Sequence, residues 1–152
     1  MKNLVLALAI ATALISGCSV PDYTQDSKQQ QVNRIAEYIA THDIDAQQSE
    51  SGLFYAIKNE GGEEKPTPED TVLVHYKGSL LNGDVFESTM GGAPTKIHLQ
   101  KAIKGWQEGI PKLGRKGRAV FIIPPYLAYG DKRVGEIPND ATLVFELYLV
   151  DF

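Results

Sequence analysis

Among 152 residues there is one cysteine, three histidines and fewer basic than acidic side chains, 15 against 19. A lone Cys18 excludes an intramolecular disulfide and any zinc site built on several thiolates. His42, His75 and His98 fall without ligand spacing, so no metal is expected. The formal net charge of −4 argues against a nucleic-acid partner. No Ser or Cys sits in a nucleophile motif beside a His and an acid. The glycine pairs Gly61-Gly62 and Gly91-Gly92 lie in strand connections and do not open a helix, so no nucleotide cofactor is expected either. The carboxylate pairs Glu63-Glu64 and Glu69-Asp70 fall in polar loops, where solvation is their ordinary state. These absences remove most familiar kinds of enzyme and leave no call for a cofactor.

Long apolar runs are equally scarce, and the one that exists is at the start. After Lys2, the apolar run from Leu4 to Ile15 leads into Ser16-Gly17-Cys18. A basic start, an apolar middle and small residues at the end describe a secretory signal peptide. The run falls short of the ~20 residues a spanning helix needs. Ile15-Ser16-Gly17-Cys18 resembles the bacterial lipobox, which implies cleavage before Cys18 and acylation of its thiol, for instance with palmitate. The alternative, ordinary cleavage, would leave a free thiol in an oxidising compartment. The resemblance also implies a lipid-anchored protein of the cell envelope. Ser19, where inner-membrane lipoproteins tend to carry Asp, points to the outer membrane, facing the periplasm.

The chain then divides into three parts: signal peptide 1–17, anchored tether and amphipathic helix 18–51, and a strand-rich domain 52–152. Residues 19–28 are polar, with Pro21, and read as a tether. Over 29–42, Val32, Ile35, Ala36 and Ile39 recur at helical spacing, with Gln31, Asn33, Arg34 and Glu37 on the other side. A helix this short needs its stripe covered. Docking on its own domain is favoured, hence a monomer; the alternative is a dimer through the 29–42 helix. Residues 43–51 are polar and read as loose.

From residue 52 onward, alternation with period two marks strands near 52–58, 71–81, 84–88, 95–99, 118–123 and 142–151. Asn82-Gly83 reads as a two-residue hairpin turn. Against this background, Ile103, Trp106 and Ile110 share one face of a short helix that Gly109 and Pro111 end. One short helix among strands, with its tryptophan aimed inward, suggests an α+β domain whose sheet wraps around a helix. Tyr76, Phe86, Ile103, Trp106, Tyr129, Ile137 and Phe145 lie where they could converge on an apolar pocket.

Seven motifs carry a resemblance. Val74-His75-Tyr76-Lys77-Gly78, Asn82-Gly83, Val85-Phe86-Glu87-Ser88, Gly105-Trp106-Gln107-Glu108-Gly109, Ala128-Tyr129-Gly130, Ile137-Pro138 and Ala141-Thr142-Leu143-Val144-Phe145-Glu146 occur in that order. Together they resemble the FKBP-type peptidyl-prolyl cis-trans isomerases, from Val72 to Phe152. The resemblance implies a twisted antiparallel sheet of about five strands around one short helix. It implies a catalytic pocket with Trp106 as floor, Tyr76, Phe86 and Phe145 as aromatic walls, and Ile103 and Ile137 as aliphatic ones. The Tyr129 hydroxyl and the Ile103 N–H would meet substrate carbonyls. Glu87 stands where the family more often has Asp. Thr95, Arg133 and Glu136 also depart from the family pattern, and they bear on macrolide binding more than on the isomerase pocket.

The implied activity is acceleration of X-Pro isomerisation in proline-containing polypeptides during folding of exported proteins. The alternatives are a non-catalytic proline-segment binding module or chaperone of the envelope, and a purely structural envelope lipoprotein.

Overall fold

The computed structural model describes residues 24–152. The expected leader, Cys18 and the first part of the tether lie outside the described residues. Two helices, α1 (Gln25–Thr41) and α2 (Lys104–Gly109), accompany seven strands: β1 (Gln47–Gln48), β2 (Phe54–Asn59), β3 (Thr71–Leu80), β4 (Val85–Ser88), β5 (Thr95–His98), β6 (Arg118–Ile123) and β7 (Leu143–Asp151). The sheet runs β1-β2-β6-β7-β3-β4 with β5 also on β3, and every pair is antiparallel. β5 pairs with the first half of β3, from Thr71 to Val74, and β4 with the second half, from Lys77 to Ser79. β4 and β5 therefore form one interrupted edge. Apart from the two-residue β1, the sheet is five strand positions wide, as the motifs implied.

Alternation decides which face each side chain takes. Val72, Val74 and Tyr76 on β3, Ala119, Phe121 and Ile123 on β6, and Leu143, Phe145, Leu147 and Leu149 on β7 are all buried on the inner face. α2 lies against that face, and its glycines set how closely. A Cβ at Gly105 would come within 2.5 Å of Ile123 Cγ2, and one at Gly109 within 2.7 Å of Phe121 Cε1. Any side chain there would lift the helix off β6 and move the buried Trp106 with it.

The outer face belongs to α1. Ile35 is fully buried among Phe54, Ile122 and Val144, with Val32, Tyr38 and Ile39 half-buried beside it. Burying an isoleucine this way is worth about 1.5–3 kcal/mol. The stripe docks on its own domain, but its membership differs from the expected one. Ala36 is exposed, and Gln31, assigned to the polar side, is buried with its Oε1 accepting a 3.4 Å hydrogen bond from Thr142 Oγ1. Rotating the stripe toward Gln31 and Tyr38 is what brings Ile35 to its centre. The helix also starts before the expected residue 29. Thr24 caps it, its hydroxyl accepting from the Ser27 N–H at 3.3 Å, with Asp26 in the first turn. Among the described residues no helix is long and apolar enough to cross a membrane.

Two connections also differ from expectation. Residues 43–51 contain β1, whose backbone completes the edge of β2 while Tyr55 Oη donates to Gln47 Oε1 at 3.1 Å. A polar sequence there serves a strand edge, not a loose loop. The β3–β4 hairpin turns over 81–84 and not over Asn82-Gly83 alone. Gly83 N–H donates to Leu80 O at 3.0 Å, and the Asn82 side chain bonds Asp84 N–H at 3.1 Å.

Candidate active site

Between α2, β3, β4 and the 124–130 turn, the inner face opens into a pocket of about 240 Å³. Seven of the eight residues expected from sequence line it: Tyr76, Phe86, Glu87, Ile103, Trp106, Tyr129 and Phe145. Ile137, the eighth, is buried in the same core cluster as Tyr76, Trp106 and Phe145. It is held by two backbone hydrogen bonds with Val134, at 3.0 and 2.9 Å. A larger hollow of about 510 Å³ near β1 and β2 is lined by mixed charges such as Asp45, Lys58, Glu60 and Lys112. Its polar walls lack the apolar character of a built binding site.

The rings meet edge to face. Trp106 lies 5.0 Å from Phe145 and 5.1 Å from Tyr76, with interplanar angles of 75° and 80°. Phe86 meets Phe145 at 5.7 Å and 83°. Edge-to-face contact satisfies each ring's quadrupole while holding the rings apart from face-to-face collapse.

Phe86 owes its place to a register break: Gly78 pairs with Glu87 but Ser79 with Val85, so Phe86 is the extra residue of a β-bulge. Gly78 completes the arrangement. A Cβ there would lie 2.5 Å from the Phe86 ring and 2.9 Å from that of Phe145. Thr89 fills the gap between β4 and β5, its hydroxyl accepting the Tyr76 N–H at 2.9 Å.

Polar atoms are few. The Tyr76 hydroxyl donates to the Glu87 carboxylate, and burial followed by that bond holds its pKa far above the ordinary phenol value. The Tyr129 phenol is also raised, first by burial and then by the Glu87 charge. Tyr129 remains 37% exposed, on a turn closed by Gly130 N–H to Pro125 O at 2.9 Å and Asp140 N–H to Gly130 O at 2.8 Å.

Ile103 caps α2 in extended conformation, and its carbonyl accepts the Trp106 and Gln107 N–H groups at 2.9 and 3.1 Å. Among the described residues nothing bonds the Ile103 N–H or the buried Trp106 Nε1–H. An apolar cleft with free donors at its floor and rim can desolvate a peptide group and hold its carbonyl. Glu87, the one carboxylate in the lining, is engaged by Tyr76.

Ile97, Lys101 and Ala102 complete the lining and were missed in the sequence. Ala102 and Lys101 had a signal in their adjacency to Ile103. Ile97 had none, since its place on β5 reads as ordinary core.

The sequence profile described as FKBP-type peptidyl-prolyl cis-trans isomerase matches residues 62–150. The chain belongs to the FKBP-type peptidyl-prolyl cis-trans isomerase family.

Among FKBP relatives, the FkpA isomerase of Buchnera aphidicola from Schizaphis graminum is 45% identical over 103 residues, covering 66% of this chain and 41% of that protein. Its Escherichia coli K12 counterpart is 40% identical over 104 residues, covering 68% and 38%. This FKBP thus spans about two-fifths of the curated relatives it matches. The crystal structure of FkpA from Escherichia coli is similar with a TM-score of 0.73 and 34% identity, over 83% of this chain and 60% of that one. The crystal structure of AtFKBP13 is similar at 0.64 and 32%, over 70% of this chain and 97% of that one.

Proposed function

We propose that this FKBP catalyses cis-trans isomerisation of X-Pro bonds in exported polypeptides, using the pocket over Trp106. The observation that carries the reading is the edge-to-face cluster of Tyr76, Trp106 and Phe145 at the base of an apolar cleft, in a chain of this family. The barrier to peptide rotation, about 18–20 kcal/mol, exists because resonance makes the C–N bond partly double. Resonance also places negative charge on the carbonyl oxygen, which water stabilises. Seating the imide among Trp106, Phe145 and Phe86 removes that water and favours the twisted, less polar state. Burial of the prolyl ring contributes to rate only where it is stronger in the twisted state.

Tyr129 Oη and the Ile103 N–H hold the flanking carbonyls, and Glu87 fixes Tyr76. No proton moves and no covalent intermediate forms. Slow X-Pro exchange limits folding over tens to hundreds of seconds, which gives such a catalyst its use. Ile137 acts from behind the pocket as packing.

In the same reading, 1–17 is removed and Cys18 is acylated, so the protein works as a monomer anchored at the outer membrane and facing the periplasm. The lipobox-like ending at Cys18 and the docking of α1 on its own domain support this part.

The test follows cis-trans exchange of a Leu-Pro peptide by NMR, with the fragment from Ser19 and its Phe145→Ala variant. Acceleration by the parent and loss of most of it in the folded variant are expected. Full activity in that variant would refute the site. Peptide binding without acceleration would make the pocket a recognition module. Cys18→Ser in the full chain should free the protein from membranes, and continued membrane association would overturn the anchor.

A further inference from the structure

Two of the residues lining the pocket are charged, and they are not in the same condition. Glu87 accepts from the Tyr76 hydroxyl. Lys101 lines the same cleft and, among the described residues, makes no ion pair or hydrogen bond. Lys104, one residue past Ile103, is likewise unpaired among the described residues. Two unpaired lysines therefore flank Ile103 in sequence, one of them in the pocket lining, on a chain whose formal net charge is −4. The Lys101-Ala102-Ile103-Lys104 segment is also braced. Gln107 Nε2 donates to Ala102 O at 2.7 Å, and Ala102 N–H to Leu99 O at 3.0 Å. An unpaired charge on a fixed segment is placed to meet charge on whatever enters the cleft.

We infer that Lys101 is a specificity-determining residue, selecting prolyl segments with an acidic side chain beside the proline. The inference rests on the pocket being the prolyl site. Lys101 neither contacts the rotating bond nor transfers a proton. Its ammonium attracts a carboxylate of the segment whose carbonyl is held at Ile103. Glu87, on β4 and not on the lysine's own segment, would repel an acidic substrate residue, which favours the lysine side. The pairing is partly exposed, so its effect is a few-fold, the size of ordinary surface ion pairs, and it weakens with salt.

The experiment uses the full chain and four peptides differing only in Glu or Gln, placed just before or just after the proline. Trp106 fluorescence reads affinity and NMR exchange reads turnover on the same samples. At least one Glu peptide should bind and turn over about threefold better than its Gln partner at low ionic strength. That ratio should fall toward one near 1 M salt. It should survive Lys101→Arg, vanish in Lys101→Met and invert in Lys101→Glu. Equal affinity for Glu and Gln at both positions, or a ratio untouched by Lys101→Met, would overturn the inference. Selective binding without accelerated exchange would leave the lysine's role standing while removing the isomerase reading. Exchange accelerated equally for all four peptides would do the reverse.

Discussion

On the inner face of the sheet, Tyr76, Trp106 and Phe145 meet edge to face and leave a cleft among them. On the outer face, Ile35 fills the space above Phe54, Ile122 and Val144. The same strands serve both: Phe145 faces inward and Val144 outward on β7, as Phe121 and Ile122 do on β6. Flat rings locked at steep angles cannot fold into a gap they border. Branched aliphatic chains can, and they close the outer face. The residue types on each face thus decide which side keeps an opening and which side is sealed.

Ile35→Ala tests the sealed side. It should cost about 2–4 kcal/mol in chemical denaturation, while isomerase turnover per folded molecule stays within about twofold of the parent. A drop in turnover in fully folded protein would show that the two faces are coupled. Gly78→Ala tests the open side. Its methyl must displace Phe86 or Phe145, so stability should fall by about 1–3 kcal/mol. X-Pro exchange should slow by roughly tenfold, because a misplaced wall no longer fits the twisted imide. An unchanged rate would mean that the bulge at Phe86 does not set the cleft.

A pH series separates the faces by their phenols. Burial raises Tyr76, Tyr129 and Tyr126 on the inner side and Tyr38 on α1 at the outer side. A raised folded-state pKa means that the folded protein keeps its protons longer than the unfolded chain. The stabilisation is complete below the ordinary phenol value of about 10 and is lost as pH climbs past it toward the folded values. Urea midpoints should therefore fall above about pH 10, and less steeply in Tyr76→Phe than in the parent. An identical slope would contradict burial of that hydroxyl. The smallest effect is expected at Gln31→Ala, about 1 kcal/mol or less, because its bond to Thr142 is long.

What the sequence revealed follows from which signals are local. Strand alternation and the Ile103–Trp106–Ile110 spacing depend on neighbours a few residues apart, so the sheet, α2 and the aromatic lining were readable. Gln31 was misplaced because its partner Thr142 lies far along the chain, and no local rule predicts a buried glutamine. The β1 pairing was invisible for a similar reason: a two-residue edge strand carries no period. Gly78 was noticed only as part of a motif. The need for a missing Cβ arises from two rings on other strands. Ile137, expected as an aliphatic wall, is buried in the same cluster as Tyr76, Trp106 and Phe145, where its backbone pairs with Val134.

The early start of α1 changes how the domain would stand relative to the proposed anchor. Were Cys18 to carry the proposed lipid, the helix cap at Thr24 would leave six peptide steps between membrane and folded protein, a span of roughly 20 Å at full stretch. The helix and the cleft occupy opposite faces of the sheet, so a leash attached beside one would leave the other turned toward open solvent. An enzyme held this way would not roam its compartment. It would work within a layer about one domain thick, and its supply of soluble clients would grow with the area of membrane that carries it.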